Sequence, residues 1–132
     1  MLNRYIFLIV ILRFTVASAQ EIDEDRTLNT QQFYEKILTT DNGLIFDIRV
    51  PNLFEESRIV DAQLADTKNK LTTLLKDVDK KTPLFIYCQV GKRTKQCILW
   101  LDKLGYTRVY HLQGGFKEWK KNGMPIDSTI IE

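Results

Sequence analysis

The segment Leu84-Phe85-Ile86-Tyr87-Cys88-Gln89-Val90-Gly91-Lys92-Arg93-Thr94 joins an apolar run to a basic loop through a single cysteine. The first four residues predict a buried strand, and a helix is expected to begin near Thr94. Backbone N–H groups at such a helix start can point at the sulfur, and the helix dipole favours negative charge there. With Lys92 and Arg93 beside it, Cys88 is expected to have a lowered thiol pKa. The alternative interpretation is an ordinary buried cysteine at a strand end.

Apolar strands alternate with helical patterns on both sides of this segment. Short apolar runs at 44–46 and 109–112 predict two more strands, and apolar residues at helical spacing predict the helices between them. Strands that alternate with helices imply crossover connections and a parallel sheet, so the predicted fold class is α/β. Reactive residues in such sheets lie beyond the carboxyl ends of the strands, which is the position of Cys88.

Two of the predicted helices carry recognisable start signals, and a third carries stop signals. Asn29, followed three residues later by Gln32, forms the capping box of a first helix. Pro51 suits the first turn of a short second helix. A last helix is expected over residues 116–122, where glycine and proline then end it.

Three motifs, in order along the chain, resemble those of the rhodanese family. Cys88-x-x-Gly-x-Arg-Thr94 is similar to its active-site loop, residues 44–51 to its Asp-x-Arg-x-Pro segment, and residues 114–119 to its Gly-Gly-x-x-x-Trp segment. The resemblance spans about residues 28–126. It implies a three-layer rhodanese-like fold, with a five-stranded parallel sheet flanked by helices.

The same resemblance implies roles for individual residues. Cys88 would take up sulfane sulfur, and the rest of its loop would bind substrate: Gln89, Val90, Gly91, Lys92 and Arg93. Asp47 and Arg49 follow the neighbouring strand, and we expect them to support the loop by hydrogen bonds or an ion pair rather than to react.

Two segments depart from the family pattern. Residues 57–62 read Ser-Arg-Ile-Val-Asp-Ala where the family often has Gly-His-Ile-Pro-Gly-Ala, which changes the local turn. Gln89 stands where members that use thiosulfate frequently have arginine. The positive charge beside the sulfur is therefore lower, and a preference for thiosulfate does not follow from the sequence.

The loop from Cys88 to Arg93 has six residues, which resembles the sulfurtransferase loop, whereas related phosphatases and arsenate reductases have seven.

The expected mechanism is attack of the Cys88 thiolate on a sulfane sulfur, storage of a persulfide, and transfer to a thiol, cyanide or a protein acceptor. Three alternatives stay open: a redox protein using Cys88 and Cys97, a non-catalytic binding module, and a phosphatase-like hydrolase.

Residues 1–19 predict a secretory signal peptide, because a basic start and an apolar stretch precede Ala17-Ser18-Ala19. The apolar stretch is interrupted by Arg13 and is shorter than the roughly 20 residues that span a membrane. We therefore expect an exported protein, periplasmic or secreted, with no stable membrane span after cleavage. Residues 20–27 are polar and acidic and are expected to form a linker to a domain over 28–132.

The composition narrows the choice of partners. The chain has 19 lysines and arginines and 17 acidic residues, and loss of the signal peptide removes two arginines, leaving 17 of each sign. That balance does not favour nucleic acid as a partner. Two cysteines are too few for a disulfide scaffold or a four-ligand zinc site, and no metal or organic cofactor is expected. We interpret Cys97 as a small buried residue and His111 as structural, in a protein expected to be a monomer.

Overall fold

Seven strands and five helices make up the computed structural model, which describes residues 21–130. The strands are β1 (Thr27–Leu28), β2 (Leu44–Asp47), β3 (Arg58–Ile59), β4 (Gln63–Leu64), β5 (Leu84–Tyr87), β6 (Val109–Leu112) and β7 (Ile126–Asp127). The helices are α1 (Thr30–Thr39), α2 (Pro51–Glu56), α3 (Lys68–Leu74), α4 (Lys92–Lys103) and α5 (Gly115–Lys121).

Five of the strands form one parallel sheet in the order β1-β6-β5-β2-β4, and β3 pairs with β7 in a separate antiparallel ribbon. The central strand β5 is buried along its whole length, as its continuous apolar sequence predicts. Its side chains alternate between two apolar clusters. Leu84 and Ile86 pack with residues of α3 and α4, whereas Phe85 and Tyr87 pack with residues of α1 and α5. The three-layer fold expected from the family resemblance is confirmed.

The predicted element boundaries agree with the structure to within about two residues. The capping box of α1 is present, because Asn29 accepts from the Gln32 amide at 2.9 Å and Gln32 accepts from the Asn29 amide at 3.0 Å. The helix after Cys88 begins at Lys92, two residues earlier than predicted. Gly91 is its N-cap and has a left-handed backbone with φ of 87°, which turns the chain into the helix sooner.

The segment 20–27, expected to be a linker, belongs in part to the folded domain. Glu24–Arg26 form a short 3-10 turn, and Thr27 begins β1 at the edge of the sheet. The Arg26 side chain donates two hydrogen bonds to Asp102 of α4, at 2.7 and 3.0 Å. The polar composition of the segment gave no sign of this partner, which lies 76 residues away.

The expected signal peptide, residues 1–19, lies outside the described residues. Between residues 21 and 130, no helix is both long enough and apolar enough to cross a membrane.

The turn at residues 57–62, where the sequence departs from the rhodanese pattern, is held by other contacts. Asp61 adopts a left-handed backbone with φ of 65°, a conformation that Asp tolerates better than most residues. Arg58 is buried and donates to the backbone oxygen of Phe54 and to the Asp127 carboxylate. The arginine thereby ties this turn to β7.

Candidate active site

Cys88 directly follows the central strand β5, and its sulfur is enclosed by the loop that leads into α4. Its side chain is 2 % exposed. The Gly91 amide donates to Sγ at 3.1 Å, and the chain then enters α4 through Lys92, Arg93 and Thr94. The Thr94 hydroxyl oxygen lies 3.4 Å from Sγ and 3.2 Å from the Gly91 carbonyl oxygen. One backbone amide and one hydroxyl therefore lie within hydrogen-bonding distance of the sulfur.

These donors decide the ionisation of Cys88. Burial by itself raises the pKa of the thiol, because it disfavours the charged form. The Thr94 side chain and the backbone of Thr94, Arg93 and Gly91 favour the thiolate and outweigh burial, so that the pKa lies below that of an ordinary cysteine. A lowered pKa for the Cys88 thiol is what the sequence predicts. The main cause is hydrogen bonding to the thiolate, whereas the sequence also pointed to the cations of Lys92 and Arg93.

The start of α5 holds the other side of the loop. The Phe116 amide donates to the Cys88 carbonyl oxygen at 2.8 Å, and the Lys117 amide donates to the Gln89 carbonyl oxygen at 3.1 Å. Gly115 makes this approach possible, since a Cβ atom there would lie only 2.5 Å from the Cys88 oxygen. The Gly-Gly motif thus brings a second helix start against the cysteine loop.

Asp47 and Arg49 form a buried pair at the end of β2. Arg49 Nη2 lies 2.7 Å from the Asp47 carboxylate, and both side chains are at least 97 % buried. Arg49 also donates to Gln89 Oε1 at 3.2 Å and to the Ser57 carbonyl oxygen at 2.7 Å. Its guanidinium carbon lies 4.0 Å from the centre of the Phe116 ring. The pair therefore connects the neighbouring strand directly to the cysteine loop.

The surface above Cys88 is a shallow hollow of about 120 Å³. It is lined by Arg49, Val50, Leu53, Cys88, Gln89, Val90 and Arg93. The lining combines apolar side chains with two arginines, a combination that suits a small anion.

The structure brings all the predicted loop residues together around this hollow or beside it. The side chains of Val90, Lys92 and Arg93 are exposed, and no hydrogen bond joins the Arg93 guanidinium to Sγ within residues 21–130. Arg93 lies between the hollow and a second cleft of about 270 Å³ and lines both.

Thr94 and Phe116 are the site residues that the sequence-based prediction missed. Thr94 belongs to the Cys-x-x-Gly-x-Arg-Thr motif, so its position was a usable signal. Phe116 follows the Gly-Gly pair, but nothing in the sequence reveals that its ring lies against Arg49.

Cys97 and His111 lie away from the hollow. Cys88 and Cys97 are both free, and burial, with a smaller contribution from Cys88, raises the pKa of Cys97 to about 12. His111 is buried on β6 and lines a separate cleft. Within the described part of the chain, no three histidine, cysteine or acidic side chains are grouped so that they could hold a metal ion.

The chain is similar to known proteins in both sequence and structure. The sequence model described as Rhodanese-like domain matches residues 30–122. A sulfurtransferase of Allochromatium vinosum is 29% identical over 75% of this chain and 92% of its own. The thiosulfate sulfurtransferase GlpE of Actinobacillus pleuropneumoniae is 27% identical over 71% of this chain and 86% of its own. The crystal structure of a rhodanese-related protein from Thermoplasma volcanium superimposes with a TM-score of 0.66 at 21% identity, covering 79% of this chain and 99% of that one.

Proposed function

Because the chain belongs to the Rhodanese-like domain family, we propose that it is a sulfurtransferase that carries sulfane sulfur on Cys88. The observation that carries the proposal is the environment of Sγ, where the Gly91 amide donates at 3.1 Å and the Thr94 hydroxyl oxygen lies at 3.4 Å. Preorganised donors of this kind stabilise a thiolate and the charged persulfide that replaces it. The sulfurtransferase names of two relatives support the same reaction class.

The proposed reaction has two displacements at sulfur. The Cys88 thiolate attacks the outer sulfur of a donor, the donor's S–S bond breaks, and its electron pair leaves with sulfite or with a thiolate. An acceptor thiolate or cyanide then attacks the outer sulfur of the Cys88 persulfide, and the electron pair of that S–S bond returns to Cys88. The exposed Arg93 lines the hollow and offsets the negative charge of the donor, whereas the charge of Arg49 is already compensated by Asp47. The reaction needs neither a metal nor an organic cofactor.

The geometry favours sulfur transfer over the alternatives. The six-residue loop directs its donors at Sγ itself, which fits one added sulfur better than a phosphoryl or arsenate group. Cys97 is a poor partner for thiol–disulfide exchange, because its raised pKa leaves little thiolate near neutral pH. A purely non-catalytic role does not explain a buried cysteine whose pKa is lowered by hydrogen bonding to its sulfur.

The proposal includes export and a small set of partners. Residues 1–19 act as a signal peptide, and the mature chain begins at Gln20 in a periplasmic or secreted protein. The partners are a small sulfur donor, such as thiosulfate or a persulfide, and a thiol, cyanide or protein acceptor. The protein acts as a monomer.

Intact mass spectrometry tests the sulfur-carrying role of Cys88. After incubation with thiosulfate or a glutathione persulfide, we expect one added sulfur atom on the wild-type chain, removed again by cyanide. Cys88→Ser should remain folded and acquire no sulfur, because the loop is shaped by backbone hydrogen bonds that do not involve the thiol. Cys97→Ala is the matched control and should acquire sulfur like the wild type. Sulfur uptake by Cys88→Ser, or none by the wild type with either donor, would refute the proposal.

A further inference from the structure

The hollow above Cys88 adjoins two larger clefts. One cleft, of about 420 Å³, meets the hollow at Arg49, Leu53 and Gln89, which line both. The other, of about 300 Å³, meets it at Val90. The first cleft is lined by lysines of α5 and the second by lysines of α4, so that basic residues of two helices border the site of the reactive cysteine.

The charges on this surface are strongly unbalanced. Six exposed cations line the hollow and its two neighbouring clefts, namely Lys92, Arg93, Lys95, Lys117, Lys120 and Lys121. We call the surface that these six residues form around the hollow the basic face. Glu56 is the one carboxylate among the described residues that line it, and within residues 21–130 only Lys121 of the six has an ion-pair partner, Glu118 at 3.9 Å. Because residues 20–132 carry 17 charges of each sign, the rest of the chain is net acidic.

Apolar side chains lie at the centre of the basic face. Val50 and Val90 line the hollow and are 51 % and 48 % exposed, and the half-buried Leu53 lines the same hollow. Single exposed apolar side chains are common on protein surfaces, but here three lie together at the entrance to the reactive cysteine. An apolar centre with a polar, charged rim is the usual arrangement of a protein–protein interface.

The hollow admits only a narrow group. The Cys88 side chain is 2 % exposed, and the hollow that it lines has a volume of about 120 Å³. A cysteine on an extended segment can enter such a hollow, whereas one on the flat surface of a folded protein cannot. Each extended residue spans about 3.3 to 3.6 Å, so the next few residues on either side of that cysteine lie over the basic face.

We infer that the basic face binds an acidic, extended segment of an acceptor protein, whose cysteine takes the sulfur from Cys88. The inference rests on the proposed sulfurtransferase function and names the class of its acceptor. The acceptor thiolate attacks the outer sulfur of the Cys88 persulfide, the S–S bond to Cys88 breaks, and its electron pair returns to Cys88 Sγ. The acceptor cysteine thereby becomes the persulfide. Attraction between its neighbouring carboxylates and the lysines speeds association and is weakened by salt.

Transfer from the persulfide form of the protein to synthetic peptides tests the basic face. Two peptides of equal length each contain one central cysteine, flanked by glutamates in one and by lysines in the other. Single-turnover rates are divided by the thiolate fraction of each peptide, and 2-mercaptoethanol serves as an uncharged acceptor. At low ionic strength we expect the glutamate peptide to accept sulfur at least about tenfold faster than the lysine peptide, and added salt should reduce this ratio.

Charge reversal provides the matched comparison. Lys95→Glu combined with Lys120→Glu changes one lysine in each cleft and none that lines the hollow, and it should reduce the ratio to about threefold or less. Lys76→Glu combined with Lys81→Glu changes the net charge equally on exposed residues outside the basic face, and it should keep the wild-type ratio. Lys81 precedes β5, at the end of that strand opposite to Cys88. Both variants should transfer sulfur to 2-mercaptoethanol at the wild-type rate.

The outcomes separate this inference from the proposed function. Equal rates for the two peptides, or the same ratio in both charge-reversal variants, would overturn the inference, while transfer to 2-mercaptoethanol would leave the sulfurtransferase proposal standing. A wild-type chain that acquires no persulfide with any donor would refute both.

Discussion

The sulfur of Cys88 combines two properties that usually oppose each other, because it is almost fully buried and yet its thiol pKa is lowered. Burial without donors makes a cysteine inert. Here the Gly91 amide and the Thr94 hydroxyl lie within hydrogen-bonding distance of Sγ, so the thiolate is solvated by the protein in place of water. A nucleophile of this kind is reactive only toward a donor small enough to enter the hollow above it.

Thr94→Val should raise the pKa of Cys88, because valine keeps the shape of threonine but loses the hydroxyl. The reactive species is the thiolate, so the curve of alkylation rate against pH should move to higher pH. At pH 7 we expect alkylation by iodoacetamide to be about three- to tenfold slower than in the wild type.

Thr72→Val is the control for that substitution. It also removes a helix hydroxyl bonded to a backbone oxygen, but on the exposed helix α3. Its alkylation curve should match that of the wild type. If Thr94→Val also matched, the hydroxyl would have no part in stabilising the thiolate.

At the scale of secondary-structure elements, the site lies where the first turns of α4 and α5 come together at the end of strand β5. The N-cap Gly91 and the first turn of α4 supply an amide and the Thr94 hydroxyl to the Cys88 sulfur, and α5 supplies amides to the carbonyl oxygens of Cys88 and Gln89. The chain therefore has two independent sets of hydrogen bonds that fix the loop. The second set depends on Gly115, where no side chain fits.

Gly115→Ala should displace the cysteine loop and destabilise the domain. The new Cβ would lie 2.5 Å from the Cys88 oxygen, on a backbone whose φ of 65° already disfavours alanine. We expect a loss of about 2 to 5 kcal/mol in the free energy of unfolding, measured by urea denaturation, together with loss of sulfur uptake.

Gly123→Ala separates backbone strain from the clash. Its φ of 66° is nearly the same, but a Cβ there would meet nothing within 4 Å. The loss should be about 1 to 2 kcal/mol, with sulfur uptake retained. Equal losses in the two variants would mean that the close approach of α5 to the loop is not what Gly115 permits.

At the scale of the whole molecule, the segment before α1 closes one edge of the sheet. β1 pairs with β6, Leu28 joins the apolar cluster beneath α1 and α5, and Arg26 reaches α4. Residues far apart in sequence thus join the edge of the sheet to the helix that follows Cys88.

Truncation measures how much the segment before α1 contributes to the free energy of unfolding. A chain beginning at residue 20 should have the stability of the full chain, whereas one beginning at residue 29 should lose about 2 to 4 kcal/mol in the free energy of unfolding. Burial of Leu28 accounts for about 1.5 to 3 kcal/mol of that loss. The partly exposed Arg26–Asp102 pair contributes at most about 1 kcal/mol, which Arg26→Ala measures separately. Similar stabilities for the two truncated chains would restore the interpretation of residues 20–27 as a linker.

The sequence by itself determined the α/β class, the three main strands and the cysteine loop. Continuous apolar runs mark buried parallel strands, and the Asn29–Gln32 capping box marks a helix start, because these signals arise between residues close together in the chain. The position of Cys88 between a buried strand and a basic loop was predictable for the same reason, because it depends only on neighbouring residues. The short strands β3, β4 and β7, of two residues each, have no such pattern and were found only in the structure.

Only the tertiary structure decided which groups stabilise the sulfur and which residues face each cleft. The contacts of Arg49 with Gln89, of Gly115 with Cys88 and of Arg26 with Asp102 join residues at least 27 positions apart. Such contacts depend on the order of strands in the sheet and on how each helix packs against it. No periodicity or spacing along the chain encodes them, and for the same reason the burial of His111 beside two lysines could not be predicted.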